Sequence, residues 1–273
     1  MLNVAICGIG RAGQEVIRTI VEKEKDMRVA AGFCRVGSSK VGRDLGLLSG
    51  VDRLGIEAME VTEAARLLRD RFVDVVIDFS SPEASMVLLA ACKKYSVPVV
   101  VCTTGYTDED LHWLKNLAKD KSFGLVYAPN VTLGVNVLIE ALKLIAQSLP
   151  FFDFQITETH HSKKADIPSG TAKIISQAIE SELDPAYDQS IPINSVRAGG
   201  HIGIHEVMAA GENEEIVITH QSFSRRAFAE GAIRVARFIS RRKGYFEMSD
   251  VIMSYPSPGL SKLQMVTSNA TPS

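Results

Sequence analysis

The 273-residue chain has no run of about 18 uncharged apolar residues, the length a membrane-spanning helix needs, so no membrane span is expected. It has only four cysteines, Cys7, Cys34, Cys92 and Cys102, with no Cys-x-x-Cys pair and no zinc-ligand spacing around them; no metal is expected, and a reducing cytoplasm suits them. Charge of one sign is also missing: 30 Lys and Arg against 32 Asp and Glu leave −2, which gives no basis for bulk attraction to nucleic acid or anionic lipid. Polar residues and Gly8-Ile9-Gly10 interrupt the start before a long apolar stretch develops, so a secretory leader is not expected either. Internal repeats and low-complexity blocks are absent. Hydrophobic residues make up 46% and charged ones 23%, enough to bury the cores of two modest domains or one large one.

Short apolar runs alternate with helical patterns through the first half. Strands are expected at Asn3–Cys7, Val29–Phe33, Val73–Phe79 and Val97–Val101. Helices are expected from Gln14 to about Glu24, then at Thr62–Arg71, Glu83–Tyr95 and Asp108–Lys119. This rhythm predicts an α/β fold, a Rossmann-like doubly wound parallel sheet over residues 1–130. After Asn130 the rhythm changes to a helix at Leu133–Leu149, a strand at Asp153–Thr159, a helix from Ser169 to about Leu183, two long strands at Ser195–Ala209 and Glu215–Phe223, and a helix from Arg226 to Arg241. Strands joined directly by turns are antiparallel, so residues 131–240 are expected to form an α+β domain with a mixed or antiparallel sheet. The segment from about 241 to 253 is expected to rejoin the first domain. The tail 254–273, with three of the ten prolines, is expected to be mobile.

Gly8-Ile9-Gly10-Arg11-Ala12-Gly13 follows the first strand and opens the first helix, the context in which such a loop cradles a dinucleotide pyrophosphate. Glycine turns between strand and helix also arise for steric reasons alone. An acid is expected about 20 residues further on to bind the adenosine ribose, and Cys34-Arg35 stands there instead. With no carboxylate to repel a 2′-phosphate and Arg35 able to pair with it, NADPH is expected in preference to NADH, Lys40 and Arg43 being secondary contacts. Two further strand ends, Asp78-Phe79-Ser80-Ser81 and Cys102-Thr103-Thr104-Gly105, can reach a cofactor or simply cap the following helices.

Residues 158–172, Glu-Thr-His-His-Ser-Lys-Lys-Ala-Asp-Ile-Pro-Ser-Gly-Thr-Ala, concentrate the most chemistry. His160 and His161 titrate near neutral pH, Lys163 and Lys164 are cationic, and a helix starting near Ser169 offers free N–H groups. Such a run suits an anion that must also receive a proton; a solvated basic loop before a helix capped by Asp166 or Ser169 is the plainer reading.

These residues resemble dihydrodipicolinate reductases, the 4-hydroxy-tetrahydrodipicolinate reductases of bacterial and plant lysine and diaminopimelate synthesis. The supporting pieces run in order through most of the chain: Asp78-Phe79-Ser80, Thr103-Thr104-Gly105, Asn130 with Gly134-Val135-Asn136, Arg197-Ala198-Gly199 with Gly203 and His205, and His220 followed by Arg225, Phe228, Ala229, Gly231 and Ala232. The resemblance implies hydride transfer from NADPH, with NADH possible, to a cyclic dicarboxylate imine. His160 would then be the proton donor, Lys164 its catalytic partner, and His161, Ser169, Gly170, Thr171 and Arg225 the substrate-binding residues. It implies a cofactor held by Gly8, Ile9, Gly10, Arg11, Ala12, Gly13, Arg35, Phe79, Cys102, Thr103, Thr104, Ala128, Asn130 and Val131, and a cytoplasmic homotetramer joined through the second domain's sheet. Lys163 is outside the family motif and reads as a solvated charge. Departures from the family pattern all lie on the cofactor side: a glycine loop one residue shorter, Cys34 where many carry an acid, Cys102 for a glycine and Val131 for an aromatic. The alternative is a related nicotinamide-dependent dehydrogenase acting on another amino or imino acid; a non-catalytic dinucleotide sensor would not need an intact His160 and Lys164.

Overall fold

The computed structural model describes residues 1–70, 72–184 and 190–254. The tail expected to be mobile lies outside these residues beyond Ser254, as does Arg71. The first half runs β1 (Leu2–Cys7), α1 (Arg11–Lys23), β2 (Met27–Cys34), α2 (Leu45–Ser49), β3 (Ala58–Glu60), α3 (Ala64–Arg69), β4 (Val75–Asp78), α4 (Pro82–Tyr95), β5 (Val99–Val101), α5 (Asp108–Leu117) and β6 (Gly124–Tyr127). β4 and β5, Val-Val-Ile-Asp and Val-Val-Val, are buried along their whole length, as strands covered on both faces must be. Helix starts follow local chemistry: the Ser81 hydroxyl caps α4 ahead of Pro82, and Thr107 and Asp110 form a reciprocal capping box on α5.

The second half runs α6 (Leu133–Ser148), β7 (Asp153–His160), α7 (Gly170–Glu180), β8 (Ile193–Arg197), β9 (Gly203–Ala210), β10 (Glu215–Ser222), α8 (Arg226–Ile239), β11 (Gly244–Glu247) and α9 (Met248–Met253). The seven-stranded sheet has the order β11-β6-β5-β4-β1-β2-β3, and every pair in it is parallel. Two apolar cores cover its faces. The four-stranded sheet, β10-β9-β7-β8, is mixed and packs on α6 and α7 over a third core.

The single long strand expected over Ser195–Ala209 is in fact two. The chain breaks at Ala198-Gly199-Gly200, Gly199 taking φ +56°, so β8 runs parallel to β7 while β9 runs antiparallel to it. β3, β6 and β11 are three or four residues long, too short to show a period in sequence. α8, which the sequence division puts in the second domain, packs its buried face against α1 and the parallel sheet. Arg226 pairs there with Glu15 and Glu22, and Arg237 with Glu24 and Asp26.

Candidate active site

The glycine loop sits at the carboxyl end of β1, where ligands of open α/β sheets bind. Gly8 has φ +87°, and a Cβ on it would lie 2.2 Å from the Phe79 carbonyl oxygen; one on Gly13 would lie 2.1 Å from the Gly8 carbonyl oxygen. Both glycines are therefore demanded by the packing. Gly10 is different: a Cβ there would meet no protein atom within 4 Å, and α1 begins without a side-chain cap. Space and free N–H groups are thus left together at the helix start, which fits a pyrophosphate. Beside this loop, a cavity of about 230 Å³ is bordered by Cys34, Arg35, Ser38 and Lys40. Arg35 is exposed and pairs with no carboxylate among the described residues, whereas the Lys40 ammonium donates to the Ile9 carbonyl.

Asp78 fixes the neighbouring loops from below. Fully buried, it accepts from the Ser80 N–H at 3.1 Å and from the Thr103 hydroxyl at 3.0 Å. Burial pushes its carboxyl pKa up against these hydrogen bonds. The Thr103 hydroxyl is thereby committed, also accepting from the Ser80 N–H at 2.9 Å, while Phe79 and Thr104 reach the main cleft. Cys102, Ala128 and Val131 have their side chains in the core, so only their backbone is available to a cofactor. Asn130 is buried, and its amide donates to the Thr171 hydroxyl at 2.8 Å.

The core-facing row of β7 changes character along the strand: Phe154 and Ile156 are followed by Glu158 and His160. The same happens on β9, where Ala209 and Val207 give way to His205 and Gly203. A polar cluster therefore caps the third core. Within it the Glu158 carboxylate meets His160 Nδ1 through Oε2, while Oε1 accepts from Arg197 at 2.7 Å and from the Ser169 N–H at 3.2 Å. Arg197 also donates to the Asp166 carbonyl at 2.6 Å. The Ser169 hydroxyl caps α7 through the Ala172 N–H and lies 3.3 Å from His205 Nε2. A Cβ on Gly170 would meet nothing within 4 Å, so the first turn of α7 opens onto free space.

A cavity of about 680 Å³ connects this cluster to the glycine loop. Gly10, Arg11 and Ala12 border it on one side, and His160, His161, Lys164, Ser169, Gly170 and Thr171 on the other. β7 ends at His160, so His161 lies outside the strand's alternation and both imidazoles line the cavity. Arg225, at the N-cap of α8, lines it too. So does Lys163, which the sequence left as a bystander, together with the apolar Ile202 and Phe228.

Electrostatics differ from one group to the next. Burial raises the Glu158 pKa, but the hydrogen bonds from Arg197, His160 and Ser169 prevail and hold it at about 2. Burial lowers the pKa of His160 and outweighs the raising effect of Glu158, with Lys164 and Arg197 adding to the fall. A neighbouring carboxylate is therefore not enough to keep His160 charged in the free protein. Burial, and then the His160 ring, bring His205 down to about 4. Lys164 lies 2.7 Å from the Asp166 carboxylate.

A glycine loop of this kind serves hydride-carrying dinucleotides, and here a titratable imidazole faces it across one cavity. That combination defines the class as nicotinamide-dependent oxidoreductases. Family models described as dihydrodipicolinate reductase, N-terminus, and dihydrodipicolinate reductase, C-terminus, match residues 2–131 and 134–252. The 4-hydroxy-tetrahydrodipicolinate reductase of Chromohalobacter salexigens is 36% identical over 272 residues, covering 92% of this chain and 98% of that protein. That of Methanopyrus kandleri is 36% identical over 269 residues, covering 92% and 97%. A solved structure, dipicolinate-bound dihydrodipicolinate reductase from Paenisporosarcina sp. TG-14, has a TM-score of 0.74 at 27% identity over 90% of this chain and 97% of that one. An amine dehydrogenase from Mycobacterium smegmatis, TM-score 0.65 at 14% identity and covering 89% of this chain and 94% of that one, shares the fold alone. The chain belongs to the dihydrodipicolinate reductase family, NAD(P)H-dependent oxidoreductases that reduce 4-hydroxy-tetrahydrodipicolinate in lysine biosynthesis.

Proposed function

We propose that this chain reduces 4-hydroxy-tetrahydrodipicolinate to tetrahydrodipicolinate, with NADPH preferred and NADH accepted. One observation carries the reading: a single cavity has the glycine loop on one side and His160, Lys164 and the open start of α7 on the other. A bound nicotinamide supplies the hydride. Gly8 to Gly13 and the first N–H groups of α1 hold its pyrophosphate, and Arg35, exposed beside the buried Cys34, pairs with a 2′-phosphate.

The rest belongs to the second half of the chain. Gly170 and Thr171 present N–H groups to one substrate carboxylate at the helix start that Ser169 caps, with His161 and Arg225 completing the anion site. Lys164 stabilises charge that develops on the ring. Substrate carboxylates raise the His160 pKa that burial depresses, so the imidazole carries its proton when the substrate arrives and can deliver it. We further take the enzyme to be a cytoplasmic homotetramer. Its four cysteines are free and buried, and the sheet edge strand β10 leaves Ile216 and Val217 exposed for a partner.

Steady-state turnover of enzymatically generated substrate, run in parallel with NADPH and NADH, tests the reading. Turnover with both, a higher kcat/KM for NADPH, and competition by 2,6-pyridinedicarboxylate are expected. Absence of turnover with either cofactor refutes the activity, and equal or better efficiency with NADH refutes the preference.

A further inference from the structure

We propose that Glu158, held in place by Arg197, is a positioning residue that fixes which nitrogen of His160 exchanges the proton. The inference rests on the reading of His160 as proton donor. An ionised carboxylate only accepts hydrogen bonds, so the hydrogen between Glu158 Oε2 and His160 must sit on Nδ1. Nε2 is then the atom that gains and loses the catalytic proton, and the tautomer left after donation is the one Glu158 stabilises. The ring fits there because residue 203 is glycine: a Cβ on Gly203 would come within 3.0 Å of Nε2.

The groups facing this imidazole come from several elements. Glu158 is on β7, Arg197 on β8 and His205 on β9, the last edge-on with ring centroids 5.3 Å apart, while Lys164 follows in the loop. Among them Glu158 alone is anionic. Arg197 keeps it so, and through the Asp166 carbonyl also anchors the loop that carries Lys164. One guanidinium thus sets the proton donor and its lysine partner relative to each other.

Glu158→Gln tests this sharply, because the site dictates how the amide must turn. The Ser169 N–H and Arg197 both donate to Oε1, so the glutamine oxygen must take that place and its NH₂ must face His160 Nδ1. That arrangement forces Nδ1 to accept and moves the hydrogen to Nε2. Nitrogen-15 NMR of the imidazole in the full-length protein should read the Nδ1–H tautomer in wild type and the Nε2–H tautomer in Glu158→Gln. kcat should fall about 10²-fold or more, with the alkaline limb of the pH profile moved to lower pH and substrate KM changed little, since the Ser169 bond is kept. Arg197→Leu should also lower kcat, and the double variant should be no worse than the poorer single one, as for residues that act as a unit.

An Nε2–H tautomer in wild type overturns the proposal even if the variants do not fold. An unchanged tautomer or pH profile in Glu158→Gln overturns it as well. Near-normal turnover of His160→Gln would instead refute the donor role itself, leaving the tautomer result standing.

Discussion

The Asn130 side-chain amide donates to the Thr171 hydroxyl at 2.8 Å, tying the loop after β6 to the first turn of α7 across 41 positions of sequence. Its oxygen is occupied at the same time by the Thr132 N–H at 3.0 Å and the Thr132 hydroxyl at 2.7 Å. The loop after β6 therefore braces the helix start proposed as the carboxylate cradle. Asn130→Ala strips partners from buried groups, so it should cost about 1–3 kcal/mol of stability. Substrate KM should rise more than cofactor KM. Urea unfolding and steady-state kinetics on the same preparation check both; equal changes in the two KM values would disconnect Asn130 from the cradle.

His160→Gln and Lys164→Ala should each lower kcat about 10²-fold or more, the usual scale for proton delivery and charge stabilisation. Lys164→Ala should also raise substrate KM, because its ammonium lines the cavity in which the anion is proposed to bind. Single-turnover kinetics separate the two effects. Near-normal turnover in either variant removes that residue from its role.

Arg35→Ala should reduce kcat/KM with NADPH about tenfold or more, the worth of a charge-assisted contact to phosphate. Efficiency with NADH should stay within about twofold of wild type. A variant that loses both equally would make Arg35 a structural residue of the strand end.

Stability should fall with acid in two steps. His205 is neutral and buried, with a pKa near 4 against 6.5 when exposed, so between those values the unfolded chain takes up a proton that the folded chain refuses. Its contribution, on the order of 3 kcal/mol, is fully present above pH 6.5 and is lost as pH falls through about 4. His160, lowered in the same direction, adds to this first step. Glu158, near 2 against 4.5, contributes stability that is present above pH 4.5 and lost as pH falls through about 2. Urea midpoints at pH 7.5, 5.5 and 4.5 should decline, and His205→Asn should decline less. An identical slope in the variant would contradict the assignment to His205.

Much of the architecture was legible because its signals are local. Buried β-branched strands such as Val99–Val101 and the capped starts at Ser81, Thr107 and Ser169 depend on neighbours within a few positions. Signals without enough length stayed silent, as with β6 and β11, which pair with each other yet lie more than a hundred residues apart. Arg197 stood out in the sequence only as part of a supporting stretch. Its task depends on β8 lying parallel to β7 with His160 opposite Arg197, a register no local pattern carries. Lys163 shows the converse, since membership of the cavity is a property of the loop's path and not of the motif.

By itself the sequence determined which chemical groups exist and in what local frames: a glycine loop between strand and helix, two imidazoles ahead of a helix start, and Cys34-Arg35 where an acid is customary. Tertiary structure decided which of them meet. Cys102, Ala128 and Val131 were drawn into the core because burial of apolar surface dominates at the sheet ends. Glu158 became the anion that orients His160 because strand pairing delivered Arg197, and the start of α7 delivered Ser169, to the same oxygen. Burial then set the protonation of His160 and His205, since the cost of charge in a low-dielectric interior depends on everything packed around it and not on the residues beside it in the chain.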